Sequence, residues 1–293
     1  MPELPDITVY CESIERALDG ARLTRLVIRH AFVLRTFDPP AEALAGLHLR
    51  SAARLGKRIV LEFDGGFFVV IHLMIAGRLK WIGAGGKAAA PHSVLAQFEF
   101  DRGTLALTEA GTKRRASIHI VHGREALAAH DPGGVNPLAI DADAFARAIQ
   151  AGNHTLKRVL TDPRVFSGIG NAYSDEILHR AGLSPLGLSQ KLTRAEVDRL
   201  YAAVRDVMVE WTDRLRREAG SGFLEKVTAF RPEMAVHGKY RQPCPACGAL
   251  VQRIVYADNE CNYCPHCQTG GKLLADRALS RLLKESWPRT IDD

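Results

Sequence analysis

Of the 6 cysteines, five fall between positions 244 and 267, and no other stretch limits the fold as strongly. Cys244-Pro-Ala-Cys247 and Cys264-Pro-His-Cys267 are two C-x2-C knuckles with sixteen residues between them. The two thiolates of a knuckle can face one metal. Four together close a tetrahedral site and leave no open position for a substrate. The array predicts one structural Zn²⁺ held by Cys244, Cys247, Cys264 and Cys267, in a module too small to have its own core. Between the knuckles, Val251–Tyr256 and Asn259–Tyr263 read as the strands of a hairpin. Cys261-x2-Cys264 is also a legal pair. The Cys264–Cys267 knuckle is preferred because it mirrors Cys244-Pro-Ala-Cys247, and His266 is read as a bystander.

With 293 residues, the chain is long enough for two or three domains with ordinary cores. No apolar run approaches the ~20 residues of a membrane span. The polar, proline-bearing start has no signal-peptide pattern, so a cytoplasmic, bacterial-type location is expected. The net charge of +6 favours a polyanionic partner.

A helix is expected over about residues 7–19, with Ile7, Tyr10, Cys11, Ile14 and Leu18 on one face and Gly20 as its stop. Cys11 then reads as a core thiol. Short apolar or alternating runs follow: Leu23–Ile28, Ile59–Phe63, Phe67–Leu73, Val94–Phe100, Thr104–Thr108 and Ser117–Val121. Turn signals separate them, which predicts a β-sandwich or barrel-like domain. Gly83–Pro91 reads as a loop. After Asp131-Pro132-Gly133-Gly134 the period becomes helical, over Asp141–Ala151, Leu156–Leu160, Tyr173–Ala181 and Arg194–Glu218. Thr193 and Glu196 fit a capping box. The fold class is thus α+β and multidomain.

Two further stretches carry chemistry. In Met1-Pro2-Glu3-Leu4-Pro5-Asp6, removal of the methionine would leave Pro2 with a free secondary amine. An α-amino group has a pKa of roughly 8, so part of it is neutral near pH 7 and can attack an electrophilic carbon. Glu3 stands beside it to move a proton. In Phe166-Ser167-Gly168-Ile169-Gly170-Asn171, two glycines allow a tight turn between helices, and the next helix's N-terminus suits an anion. A plain packing corner explains this turn equally well.

These three motifs, in their order along the chain (N-terminus, glycine turn, cysteine array), resemble the formamidopyrimidine-DNA glycosylase/endonuclease VIII family of base-excision repair enzymes, over residues 1 to about 270. Leu4 resembles the formamidopyrimidine branch. The resemblance implies a catalytic β-sandwich domain (1–133), a helix–two-turn–helix DNA-binding domain (134–238), a zinc finger (239–272) and a helical tail (273–293). It implies Pro2 as nucleophile and Glu3 as acid/base partner, with Asp6 where the family usually has a glutamate. Lys57, in a lysine turn after Gly56, joins the catalytic set. His72, Lys157 and Asn171 stand at DNA-contacting positions, and Tyr173 and Glu176 at positions that the family pattern also fills. The implied partner is duplex DNA with a damaged base or abasic site, met by a monomer.

The chain departs from the family at several points. Ile75 occupies the place of a methionine wedge, and Met74 replaces a glycine. The family loop that supplies an arginine and an aromatic reads Thr108-Glu-Ala-Gly-Thr-Lys-Arg-Arg-Ala-Ser117 here, without an aromatic. Arg115, among Lys113, Arg114 and Arg115, is taken as the arginine. Asn259 replaces the zinc-hairpin arginine. The stretch between Gly220 and Val236 is about six residues short for an 8-oxoguanine enzyme, so no particular lesion is selected. Two other readings compete with a glycosylase/lyase: a non-catalytic binder of damaged DNA on this scaffold, and a zinc-ribbon RNA-binding protein. The Pro2-Glu3 pair argues against both.

Overall fold

The computed structural model describes the chain except residues 84, 87–90, 112, 257, 258, 275–288, 292 and 293. It divides into two compact units, Met1–Pro132 with Trp211–Thr228, and Gly133–Glu210 with Ala229–Asp293.

The first unit opens with helix α1 (Leu4–Leu18). Its predicted apolar face is the buried one: Ile7, Tyr10, Ile14 and Leu18 are inaccessible and Cys11 nearly so. Eight strands follow: β1 (Leu23–Ile28), β2 (Leu49–Leu55), β3 (Arg58–Phe63), β4 (Phe67–His72), β5 (Gly77–Gly83), β6 (Val94–Phe100), β7 (Gly103–Glu109) and β8 (Ser117–His122). They form two antiparallel sheets, ordered β1-β6-β7-β5 and β2-β3-β4-β8. Residues at alternate positions, such as Ile59, Leu61 and Phe63 on β3 and Leu105 and Leu107 on β7, join α1 in one core. This is the expected sandwich, in which each strand buries one face. Two strands were not read from the sequence. β2 (LRSAARL) has only Leu49 and Ala52 buried and shows no run of large apolar residues, whereas β5 (GRLKWIG) does carry a short alternation of Leu79, Lys80 and Trp81. A short helix, α2 (Arg124–Ala128), follows β8.

The second unit contains α3 (Ala142–Gln150), α4 (Leu156–Thr161), α5 (Asn171–Ala181) and residues up to Glu210 of α6 (Arg194–Ala219). Asp141 caps α3 by accepting from the Ala144 N–H at 2.7 Å. The Thr193/Glu196 box forms as expected: Glu196 accepts from the Thr193 N–H at 2.8 Å, and Thr193 accepts from the Glu196 N–H at 3.3 Å. The predicted hairpin is β9 (Gln252–Tyr256) with β10 (Asn259–Tyr263), and α7 (Pro265–Thr269) follows. Most of the tail helix expected over 273–293 lies outside the described residues, as does part of the 83–91 loop. No helix among the described residues is long and apolar enough to cross a membrane.

Candidate functional site

The head of α1 holds the first two candidate residues. Pro2 is buried and Glu3 is 2% exposed. Glu3 is the N-cap: its carboxylate accepts from the Asp6 N–H, while Asp6 Oδ2 accepts from the Glu3 N–H at 2.9 Å. This reciprocal box fixes the direction of the Glu3 carboxylate. Burial lowers the terminal amine at Met1 below its ordinary 8.0, opposed by Glu3 and Asp6 and assisted by Arg78 and Lys57. A terminal amine at this position is therefore more neutral at pH 7 than an exposed one.

Lys57 lies in the two-residue turn that joins β2 to β3, after Gly56 at φ 62. Arg54 donates to the Gly56 carbonyl at 2.9 Å, and Arg58 donates to that of His130 at 2.9 Å, so backbone acceptors hold the turn on both sides. His72 ends β4, opposite Arg58 and Ser117. Burial first, then Arg58, Lys57 and His119, push its imidazole down to about 4, so it is neutral at pH 7.

Ile75 is 56% exposed, in a turn closed by the Gly77 N–H to the Leu73 carbonyl at 2.9 Å. A Cβ on Gly77 would stand 2.3 Å from that oxygen, so only glycine fits. Met74, where the family has glycine, adopts φ 53. It keeps the left-handed conformation at a strain of about 1–2 kcal/mol. Arg78 ties the turn down, donating to the carbonyls of Gly77 at 2.7 Å, Ile75 at 3.1 Å and Val227 at 2.7 Å. In the loop before β8, the buried Glu109 accepts from the N–H groups of Arg115 and Ala116, both at 2.9 Å. Arg114 donates to the His92 carbonyl at 2.6 Å, while the Arg115 side chain is exposed.

In the second unit, the Gly168–Asn171 turn needs glycine at 168, where φ is 97. Gly170 is the N-cap of α5, and the Asn171 amide donates to the Glu260 carbonyl on β10 at 2.9 Å. Lys157, expected at a DNA-contacting position, directs its ammonium inward. It donates to Asn171 O at 2.7 Å, Ser174 Oγ at 2.8 Å and Asp175 Oδ1 at 2.6 Å. Three acceptors use all three of its donors. The buried Asp175 also accepts from His237 Nδ1 at 2.7 Å and from the Asn262 N–H at 3.1 Å. Burial opposes its charge, but Lys157 and His237 outweigh it and hold the carboxyl below its ordinary range. Glu176 accepts from the N–H groups of Ala235, Val236 and His237 at 2.8–2.9 Å. Asn259 is exposed at the start of β10. The hairpin has a cation in Arg253, stacked 4.3 Å over the Tyr240 ring and bonded to Glu260 at 3.1 Å.

The ligand atoms of Cys244, Cys247, Cys264 and Cys267 all lie within 4.8 Å of one another. Sγ separations of 3.9 Å (Cys244–Cys267) and 3.4 Å (Cys247–Cys264) lie on either side of the ~3.8 Å edge of a tetrahedron with Zn–S bonds of about 2.3 Å. The donor set therefore fits a zinc finger. Cys261 and His266 are outside it: Cys261 is buried beside Asp175, and His266 is exposed. His179 of α5 stands 3.2 Å from Cys244 Sγ, in the place of an outer partner that orients a ligand.

The N-terminal domain model of formamidopyrimidine-DNA glycosylase matches residues 1–118, and its H2TH domain model matches residues 134–215. A formamidopyrimidine-DNA glycosylase of Solibacter usitatus is 31% identical over 278 residues, covering 92% of this chain and 99% of that protein. This chain belongs to the formamidopyrimidine-DNA glycosylase family. A formamidopyrimidine-DNA glycosylase-like protein of Mycobacterium tuberculosis is 42% identical over 151 residues, 52% of this chain and 94% of that one. The crystal structure of the MutM (Fpg) protein of Thermus thermophilus superposes with a TM-score of 0.75 at 29% identity, covering 91% of this chain and 98% of that one.

In the first unit, the charges of Glu3 and Lys57 both act on the N-terminal amine, with those of Arg78 and Asp6. Arg78, Glu109 and Asn262 carry no sequence signal of their roles: Arg78 and Asn262 bond backbone far along the chain, and Glu109 bonds the two N–H groups across its own loop. No local motif marks such residues. Only their partners do, and in sequence Asn262 lies far from the Asp175 and Gly238 that it bonds.

Proposed function

We propose that the protein is a bifunctional DNA glycosylase and abasic-site lyase of base-excision repair, acting on duplex DNA with a damaged base or an abasic site. The observation that carries this reading is the head of α1: a buried Pro2 next to a Glu3 carboxylate that the Asp6 N–H holds in place. Removal of Met1 would place a free amine at this buried position, beside a carboxylate able to move a proton.

In the full chain Met1 acylates the Pro2 nitrogen, and removal of Met1 frees it as a secondary amine. The target nucleotide must leave the stack to be reached. The Pro2 nitrogen then attacks C1′ of the deoxyribose and displaces the base, which leaves with the C–N bonding pair and is protonated. Glu3 protonates the ring oxygen, the sugar opens, and an iminium joins Pro2 to C1′. The iminium acidifies the C2′ proton. Its loss expels the 3′ phosphate, and a second elimination expels the 5′ phosphate.

Lys57 supplies a cation to a flanking phosphate. The neutral His72 offers one N–H, and Asn171 anchors the α5 turn beside the phosphate path. Ile75 acts as an apolar wedge and Arg115 as the cation of its loop. Lys157 positions Asn171 and Asp175 instead of touching DNA. Asn259 offers an uncharged donor on the zinc hairpin, with Arg253 as the nearby charge. The four-cysteine site binds Zn²⁺ and holds the hairpin. The protein works as a monomer.

Incubation of Met1-processed protein with an abasic-site duplex tests the reading. The expected products carry phosphate at both edges of a one-nucleoside gap. Tight binding without strand cleavage would favour a non-catalytic binder of damaged DNA.

A further inference from the structure

Phe32 is 76% exposed and sits in a short 3-10 turn, Ala31–Val33. Single exposed apolar residues are common. Its surroundings set this one apart. The ring shares an open cavity of about 520 Å³ with His30, Arg35, Gly111 and Arg114, a lining with two arginines and, among the described residues, no carboxylate. The His30 ring lies 5.9 Å from that of Phe32, tilted by 51°.

Bonds on either side fix the turn that carries the exposed ring. Val33 is buried, and its N–H donates to the His30 carbonyl at 3.0 Å. Leu34 bridges to Ile118, the Arg35 N–H donates to the Ile118 carbonyl at 2.9 Å, and the Ile120 N–H donates to Thr36 Oγ1 at 2.8 Å. The same strand, β8, receives the Arg114–Ala116 loop, whose end Glu109 fixes. The turn and the loop are thus both attached to the start of β8. The loop has no aromatic of its own, and the aromatic in this cavity comes from the turn.

We propose that Phe32, flanked by Arg35 and Arg114, is a stacking platform for the base left without a partner when the target nucleotide leaves the duplex. This rests on the glycosylase reading above. Extrusion of one nucleotide exposes the π face of a base that had been paired. An aromatic face edged by cations is the general solution for binding such a base, with the cations meeting the backbone. Phe37 provides an internal control. It is 89% exposed in the same segment, yet it does not line the cavity.

The test uses duplexes with a tetrahydrofuran abasic analogue opposite 2-aminopurine, whose fluorescence is quenched by stacking. Wild-type protein should bind this duplex more tightly than intact DNA and change the 2-aminopurine signal. Phe32→Ala should weaken binding roughly ten-fold and abolish the signal change. Phe32→Trp should restore both, and Phe37→Ala should alter neither. When the opposite strand also lacks its base, Phe32→Ala should bind as wild type does. Unchanged binding by Phe32→Ala, or an equal loss on both duplexes, would overturn the inference and leave the glycosylase reading intact. A wild-type protein with no preference for the abasic duplex would overturn the glycosylase reading, and this inference with it.

Discussion

The Gly56-Lys57 turn in one unit and the Gly170-Asn171 turn in the other both carry groups that the family pattern sets against phosphate, and they are built in opposite ways. Around Lys57 the backbone is tied down by Arg54 and Arg58, and no acceptor among the described residues bonds the ammonium. Around Asn171 the polar groups bond one another: Lys157 has three internal acceptors, and Asp175 joins Lys157, His237 and Asn262. A lysine in a motif is therefore not yet a phosphate contact. What decides is how many acceptors already surround its ammonium. The first turn keeps its charge available, and the second uses its charge to hold α5 against the zinc hairpin.

The strongest way to break this contrast is to remove Asp175. Asp175→Ala would leave the Lys157 ammonium without its buried counter-charge and is expected to cost about 3–5 kcal/mol of stability, read by urea denaturation. An unchanged midpoint would show that the network is not structural. Lys57→Ala sharpens the other side. Stability should hold within about 0.5 kcal/mol, while the plot of log affinity for DNA against log salt flattens by about 0.9. An unchanged slope would remove Lys57 from the phosphate contacts.

A third effect is on pH. Burial first, then nearby cations, push His72 down to about 4, and His119 and His130 are lowered as well, chiefly by burial. The unfolded chain takes up these protons near pH 6.5, and the folded chain does so only at lower pH. Their contribution to stability is therefore complete above 6.5 and is lost as the pH falls from 6.5 toward 4. His72→Gln should flatten the denaturation midpoint across that window, and a profile identical to wild type would contradict the assignment.

Much of the fold was legible because its signals are local. The α1 stripe, the Thr193/Glu196 box and the paired knuckles each lie within a few residues of chain, and each appears where periodicity or spacing put it. β2 was not legible, since Ala52 and Ala53 give no apolar run although β3 pairs with them, while the signal of β5 is confined to the short Leu79–Ile82 alternation. In the candidate site, Pro2, Glu3 and the cysteines stood out by type and spacing. Arg78 and Glu109 did not, because what they do depends on carbonyls and N–H groups that only folding brings within reach. The inward turn of Lys157 was hidden for the same reason. Its acceptors lie 14–18 positions away, on the next helix.

The proposed chemistry depends on a Pro2 amine freed by removal of Met1 at the start of α1. Borohydride reduction during incubation with an abasic-site oligonucleotide, followed by mass mapping of the trapped protein, tests it directly. The predicted result is one adduct, on the N-terminal peptide at Pro2, absent from protein that retains Met1. An adduct on Lys57 or another lysine, with Pro2 unmodified, would contradict the account.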